Sequence, residues 1–340
     1  MDIRVASPPS TLEARLAQGV PHAPVAALRA LCQAGFDRLP LPGRGATLAR
    51  WRALAVVAAH DLALAKLYEG HVDALAILAD LGGSATPGLW GVWAAESPQA
   101  KLRVLTTGNA GMRLRGRKSW CSGAVGLDHA LVTAWDEDDR PRLAAVDLRA
   151  EGVRVTQEGW CAVGMAASGS VDVVFDDASC RLVGSGGAYL ERPGFWQGGA
   201  GVAACWHGGA SALAARLHEH AGRTGDPHAL AHLGAVDAGL GAAAALLRDS
   251  AHWIDAHPAA DARAVTLRAR ATVDAACAET VSHVTRGLGA GPLCRDAWVA
   301  RRVADLPVFV RQCHAERDLA ALGSALIANG ASPRSGGWQL

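Results

Sequence analysis

The sequence predicts an α+β chain in three parts: an N-terminal helical domain, a central β-barrel or sandwich domain and a C-terminal four-helix bundle. Three observations predict it. Apolar residues recur at three and four between Ser10 and about Leu81, alternate in short runs from about Leu89 to Cys180, and return to the helical period from Gly198 to Gly330. The implied boundaries are 1–86, 87–195 and 196–330, with 331–340 as a loose tail. With 340 residues, half of them hydrophobic, the chain is long enough to bury more than one core.

In the first part the period runs through "TLEARLAQGV", "APVAALRALCQAGF" and "WRALAVVAAHDLALAKLYEGHVDALAILADLGG". It is interrupted at "DRLPLPGRG", where Pro40, Pro42, Gly43 and Gly45 stop one helix before the next. After "GGSATPG" six alternating runs follow, "LWGVWAAE", "AKLRVLTTG", "GMRLRGRKSWC", "HALVTAWDED", "RLAAVDLRAEGVRVTQ" and "SGSVDVVFDDASC". Each is bounded by Gly, Asp or Asn, the pattern of short strands joined by turns. The last part breaks at "RTGDPH", "DAHPAADA" and "GLGAGPLCRD", leaving segments long enough for a bundle.

Charge and composition narrow the function. A formal net charge of +1 without a block of like charges lacks the footprint of a nucleic-acid binder. The opening stretch has no continuous hydrophobic run of signal-peptide length, and no segment reads as roughly 18 apolar residues, so a cytoplasmic protein without a membrane span is expected. Eight cysteines are scattered without a C-x-x-C pair, which argues against a zinc site or a disulfide framework and for mostly buried thiols. "HEH" at His218 to His220 directs its rings to different helical faces, so no metal is expected there. No G-x-G-x-x-G, P-loop, H-E-x-x-H or G-x-S-x-G stands in a strand-to-helix context.

The most informative word is "GRKSWCSGA", Gly116 to Ala124. An indole between a basic pair and a small polar pair either fills a core or lies against a flat cofactor, and local sequence leaves both open. The longer stretch "RGRKSWCSGAVGLDHALVTA", set in the helix–sheet–helix order, resembles the acyl-CoA dehydrogenase family of flavoproteins, and the likeness covers roughly residues 28 to 326. The resemblance implies that Trp120 packs on an isoalloxazine and that the Ser122 hydroxyl stands near the flavin N5. A flat ring system needs such a face and an aimed donor at its redox edge.

Other words extend the resemblance. "WGVWAAESPQAKL" falls where the family has Thr-Glu-Pro and a Gly-rich turn; Glu96 matches the Glu, Ala95 replaces the Thr, and the Gly-rich turn is missing. "GMAASGSVDVVFDDASC" puts Ser168 or Ser170 at the family's serine beside the acyl channel. Arg223 matches an arginine that reaches the flavin pyrophosphate of a neighbouring subunit, which suits a guanidinium and implies a homodimer or homotetramer.

The resemblance thus implies FAD, an acyl-CoA or acyl-carrier thioester dehydrogenated at Cα–Cβ, and an electron-transfer flavoprotein-like acceptor. Such a reaction needs a base for the α proton. The family's usual E-G-T segment is absent from "PLCRDAWVARRVADLPVFVRQCHAERDLAALG". Either Arg295–Asp296 or Arg302 with Asp305 answers the family's Arg-Asp; the second, preferred because "AERDLAALG" then fills the final helix, brings Cys313, His314 and Glu316 to the neighbourhood of the base. Glu316 suits dehydrogenation, since a carboxylate in a dry pocket gains a useful pKa. His314 suits a flavin monooxygenase or oxidase of the same fold. A third reading, from the missing words, is a catalytically degenerate scaffold subunit.

Overall fold

The computed structural model describes residues 11–97, 100–106 and 111–328. The expected tail, 331–340, lies outside them. The opening helices are α1 (Leu12–Ala17), α2 (Pro24–Gln33), α3 (Thr47–His60) and α4 (Leu62–Asp80). The long periodic run from Trp51 is therefore two helices. Asp61 is extended and its side chain accepts the Leu64 N–H at 2.8 Å, so one residue ends α3 and caps α4.

The sheet contains β1 (Trp90–Trp93), β2 (Leu102–Thr106), β3 (Met112–Cys121), β4 (His129–Trp135), β5 (Pro141–Asp147), β6 (Val153–Val155) and β7 (Val171–Leu182). The fifth run splits in two at Gly152, whose φ is +82° and where a Cβ would sit 2.2 Å from the Asp176 carbonyl. Pairings β4–β2, β2–β3, β3–β7, β7–β5 and β5–β4 close a ring, so the central part is a barrel. β1 adds in parallel to β4, and β6 adds to β7.

The remaining helices are α5 (Ala188–Glu191), α6 (Gly194–Thr224), α7 (Pro227–Ala256), α8 (Arg263–Leu288), α9 (Ala290–Arg295), α10 (Ala297–Val310) and α11 (Glu316–Ala328). Asp226 and Asp296 cap α7 and α10 by accepting the Ala229 and Trp298 N–H groups. α6 packs on α3 so closely at Gly208 that a Cβ there would lie 2.2 Å from the Ala55 carbonyl. Arg302 of α10, buried against Trp298, donates to the last carbonyls of α3, those of Ala58, Ala59 and His60, at 2.9, 2.6 and 2.6 Å. These are the carbonyls a helix terminus leaves without intrahelical partners.

One continuous core runs through helices and barrel, and a second cluster (Ala74, Ile77, Leu78, Trp90, Leu131, Leu143) seats α4 on the barrel wall. α7 departs from the expectation that no segment reaches membrane-span length. An 18-residue window in it has mean hydropathy 1.5 and is only 22% buried, although the helix packs on α6 and α8.

Candidate functional site: a braced tryptophan turn

β3 runs into a turn at Trp120, where its ladder with β7 shifts register between Lys118 and Cys121. Such a bulge re-aims a side chain. Trp120 takes a left-handed φ of 58°, uncommon for a bulky residue, and stays 47% exposed while Cys121 beside it is buried.

The turn is held from both sides. The Gly123 N–H donates to the Ser168 carbonyl at 2.9 Å, and the Trp93 indole N–H donates to the Ser122 carbonyl at 3.1 Å. Met165, a second left-handed residue (φ 57°), opens the facing 3₁₀ turn Ala166–Ser168, and its N–H donates to Asp305 of α10 at 2.6 Å. Two strained residues joined through one hydrogen-bonded turn persist because their surroundings over-determine them.

The Ser122 hydroxyl is the open group. Ser122 is 6% exposed, yet its Oγ has no hydrogen-bond partner among the described residues. The atom keeps contact with solvent, so it is free to donate to or accept from a ligand. An exposed indole face beside that hydroxyl fits a flat heteroaromatic group with a polar edge, so the residues present suit a flavin.

Glu96 plays another part. Its carboxylate accepts from Lys118 Nζ at 2.7 Å, Thr133 Oγ1 at 2.6 Å and the Trp135 indole at 3.3 Å. Burial acts to raise its pKa, but these bonds outweigh it and hold the carboxyl below the usual range. Lys118, 1% exposed, also donates to the Thr133 carbonyl. The expected cofactor contact is thus a brace for the strand that ends in Trp120, because its oxygens are already engaged.

Ser168 and Ser170, expected at the substrate, are buried and satisfied internally. Their hydroxyls share a 2.8 Å hydrogen bond, and Ser168 Oγ donates to the Met165 carbonyl at 2.7 Å. Arg223, on the last turn of α6, is exposed and makes no hydrogen bond or ion pair among the described residues.

The expected base region closes on itself. The His314 side chain is 63% exposed with Nδ1 3.3 Å from Asp318, and the His314 backbone N–H donates to the same carboxylate at 3.1 Å. Glu316 opens α11 and is exposed. No hydrogen bond or ion pair links either residue to the Trp120 turn. The preferred Arg302 and Asp305 are buried and structural, one capping α3 and the other holding Met165.

Sequence reasoning missed a buried polar cluster. Lys66, Glu69 and Asp73 stand at i, i+3 and i+7 in the largely apolar α4, with Lys66 Nζ 3.4 Å from Glu69. Burial, reinforced by the Asp73 charge, pushes the Glu69 carboxyl up. Asp73 Oδ1 is buried without a partner. Three charges on one face of an apolar helix were the available signal.

One trio among the described residues, Cys32, Asp37 and His71, has metal-ligand proximity. His71 Nδ1 accepts the Trp90 N–H at 3.1 Å, so its proton sits on Nε2, 3.5 Å from Asp37. Burial pushes the Cys32 thiol up to about 12. Neither side chain offers a free lone pair or thiolate, so the trio is a packing feature.

No protein-family model matches the chain, and no curated protein matches it. Solved structures do. A nitrososynthase from Micromonospora carbonacea var. africana aligns at 19% identity, TM-score 0.78, over 93% of this chain and 97% of that one. FMN-bound TdsC from Paenibacillus sp. A11-2 aligns at 18%, TM-score 0.72, over 85% and 86%. Butyryl-CoA dehydrogenase from Megasphaera elsdenii aligns at 17%, TM-score 0.74, over 83% and 82%. With a helical start, a closed barrel and a helical end superposing along most of each chain, this protein has the acyl-CoA dehydrogenase fold.

Proposed function

We propose that the protein is a flavin-dependent oxidoreductase of the monooxygenase type. The observation that carries the flavin is the exposed Trp120 indole in a strained, braced turn beside the unpartnered Ser122 hydroxyl. When bound, flavin supplies two-electron chemistry to dioxygen or to a substrate C–H bond. Trp120 offers the apolar face and Ser122 the hydrogen bond at the ring edge. The Lys118–Glu96 pair and the Ser168–Met165 turn hold both in register.

Oxygen chemistry is preferred to thioester dehydrogenation because the latter needs a base beside the reacting carbon. His314 and Glu316 face solvent, and no hydrogen bond or ion pair ties either to the Trp120 turn. A flavin held there would supply the two electrons that a monooxygenation needs for one oxygen atom to enter the substrate and the other to leave as water. The neighbours include a dibenzothiophene monooxygenase and a nitrososynthase, in keeping with this choice.

α,β-Dehydrogenation of an acyl thioester is the second reading, favoured by the buried Glu69 carboxyl, which burial shifts toward the range of a working base. FAD follows from the resemblance in the sequence, whereas the TdsC and KijD3 structures carry FMN. The outward apolar face of α7 supports a homo-oligomer in which Arg223 reaches a neighbouring copy's cofactor. A cytoplasmic setting follows the sequence expectation.

The test mixes purified protein with FAD or FMN and follows the visible flavin band. Anaerobic acyl-CoA addition comes first, then oxygen uptake with chemically reduced flavin and a panel of amines and aromatic heterocycles. Substrate-dependent oxygen incorporation supports the proposal. Bleaching by an acyl-CoA moves the assignment to dehydrogenation, and no flavin uptake sinks both readings.

A further inference from the structure

A cleft of about 230 Å³ lies where α3, α6 and α7 meet, lined by Leu48, Trp51, Arg52 and Ala55, by Ala204 and His207, and by Ala244, Leu247 and Arg248. None of these residues belongs to the barrel or to the Trp120 turn. The space has a simple origin. Each helix turns an alanine toward the junction (Ala55, Ala204, Ala244), while Leu48, Leu247 and the Trp51 indole supply apolar walls.

Its rim is cationic. Arg52 and Arg248 both line the cleft, both are exposed, and neither makes a hydrogen bond or ion pair among the described residues. Two guanidinium groups sharing one small opening repel each other, and an anion between them relieves the repulsion. Inside, Trp51 is 2% exposed with its indole N–H unpartnered. His207 is held by Ser211 Oγ at 3.4 Å and the Leu240 carbonyl at 3.3 Å, and burial lowers its proton affinity, so it brings no negative charge and little positive charge.

The volume fixes the scale of the occupant. At about 230 Å³ the cleft is smaller than the roughly 300–1,000 Å³ pockets that hold drug-sized ligands, too small for a flavin or a coenzyme A. We propose that this cleft is a binding site for a short-chain monocarboxylate, its alkyl tail between the three alanines and its carboxylate forked between Arg52 and Arg248, separate from the flavin site. An Arg–carboxylate contact is a charge-assisted bidentate bond, the geometry a guanidinium is shaped for.

Calorimetric titration of the full chain with hexanoate tests it, with hexylamine as the control of equal shape and opposite charge. Saturable hexanoate binding and none of hexylamine are expected. The Arg52→Gln/Arg248→Gln double variant should weaken hexanoate at least tenfold, and Ala244→Phe should abolish it by filling the tail space. Thermal melts establish that each variant is folded, and flavin uptake should be unchanged in both. Absence of saturable binding to the unmodified protein, equal affinity in the double variant, or equal binding of hexylamine overturns the proposal. Because flavin uptake is read separately, such a failure leaves the flavin assignment standing.

Discussion

The turn at Trp120 and the corner between α10 and α11 are the two regions where the sequence resemblance expects chemistry, and they are built in opposite ways. The first is strained, exposed at one indole and tied into buried bonds from Trp93, Ser168 and, through Met165, Asp305. The second also holds a left-handed residue, Ala315 (φ 47°), but its histidine is exposed and closed on Asp318 within one helical turn. Surroundings that fix a strained residue while leaving its face open are what a cofactor platform needs. A proton-transfer group has to stand beside the reacting carbon, whereas His314 and Glu316 face solvent.

The largest effect that can break this contrast lies beneath the platform. Glu96→Ala strips the buried Lys118 ammonium of its counter-charge and, since the Glu96 side chain is itself 42% exposed, should destabilise the fold by about 2 kcal/mol in urea unfolding. A loss under about 1 kcal/mol would mean that Lys118 is not held as a charge, and the bracing argument would fail.

Trp120→Gly separates platform from structure. Glycine accepts φ 58° freely, so stability should move by no more than about 1 kcal/mol, while flavin affinity falls at least tenfold. A large stability loss with flavin binding intact would make Trp120 a core residue.

The two serines sharpen the comparison further. Ser168→Ala loses bonds to Met165 and Ser170 and should cost about 1–2 kcal/mol, whereas Ser122→Ala, with no internal bond to lose, should stay within about 0.5 kcal/mol and weaken flavin binding. Equal stability losses would remove the distinction.

Asp305 joins the two regions, and its titration has a definite sign. Burial raises its folded pKa above the unfolded value, only partly offset by the Met165 N–H. The folded state is therefore favoured below the unfolded pKa, and that advantage is lost as pH rises through the raised folded one. Asp305→Asn keeps an acceptor for Met165 without the charge, so relative to the parent it should gain stability as pH rises above the usual carboxylate range. A parent and variant with parallel pH profiles in unfolding experiments would contradict this.

The smallest effect is expected at the corner itself. His314→Gln and Glu316→Gln should each change stability by less than about 0.5 kcal/mol and turnover by less than about twofold. A hundredfold loss of turnover in either would restore that residue to the catalytic machinery.

Much of the fold was legible in the sequence because its causes are local. The 3.6 and 2.0 periods separate helices from strands. Asp226 and Asp296 sit just ahead of apolar runs where a carboxylate satisfies the first free N–H groups, and the Gly and Asp turns cut the strands. The word around Trp120 is likewise local, and so the pair proposed to face a flavin could be named from it.

Tertiary structure alone decided which side chains are free. Glu96 and Lys118 are 22 residues apart, and their pairing depends on how β3 and the segment after β1 meet in the closed barrel. Arg302 finds the end of α3 more than 240 residues away, which turned a residue matched to the catalytic end into a helix cap. Whether Glu69 is a solvated charge or a buried acid depends on α4 lying between bundle and barrel. Periodicity and capping are properties of neighbouring residues and are written along the chain, whereas burial and the satisfaction of a polar group are properties of distant neighbours that only the folded chain brings together.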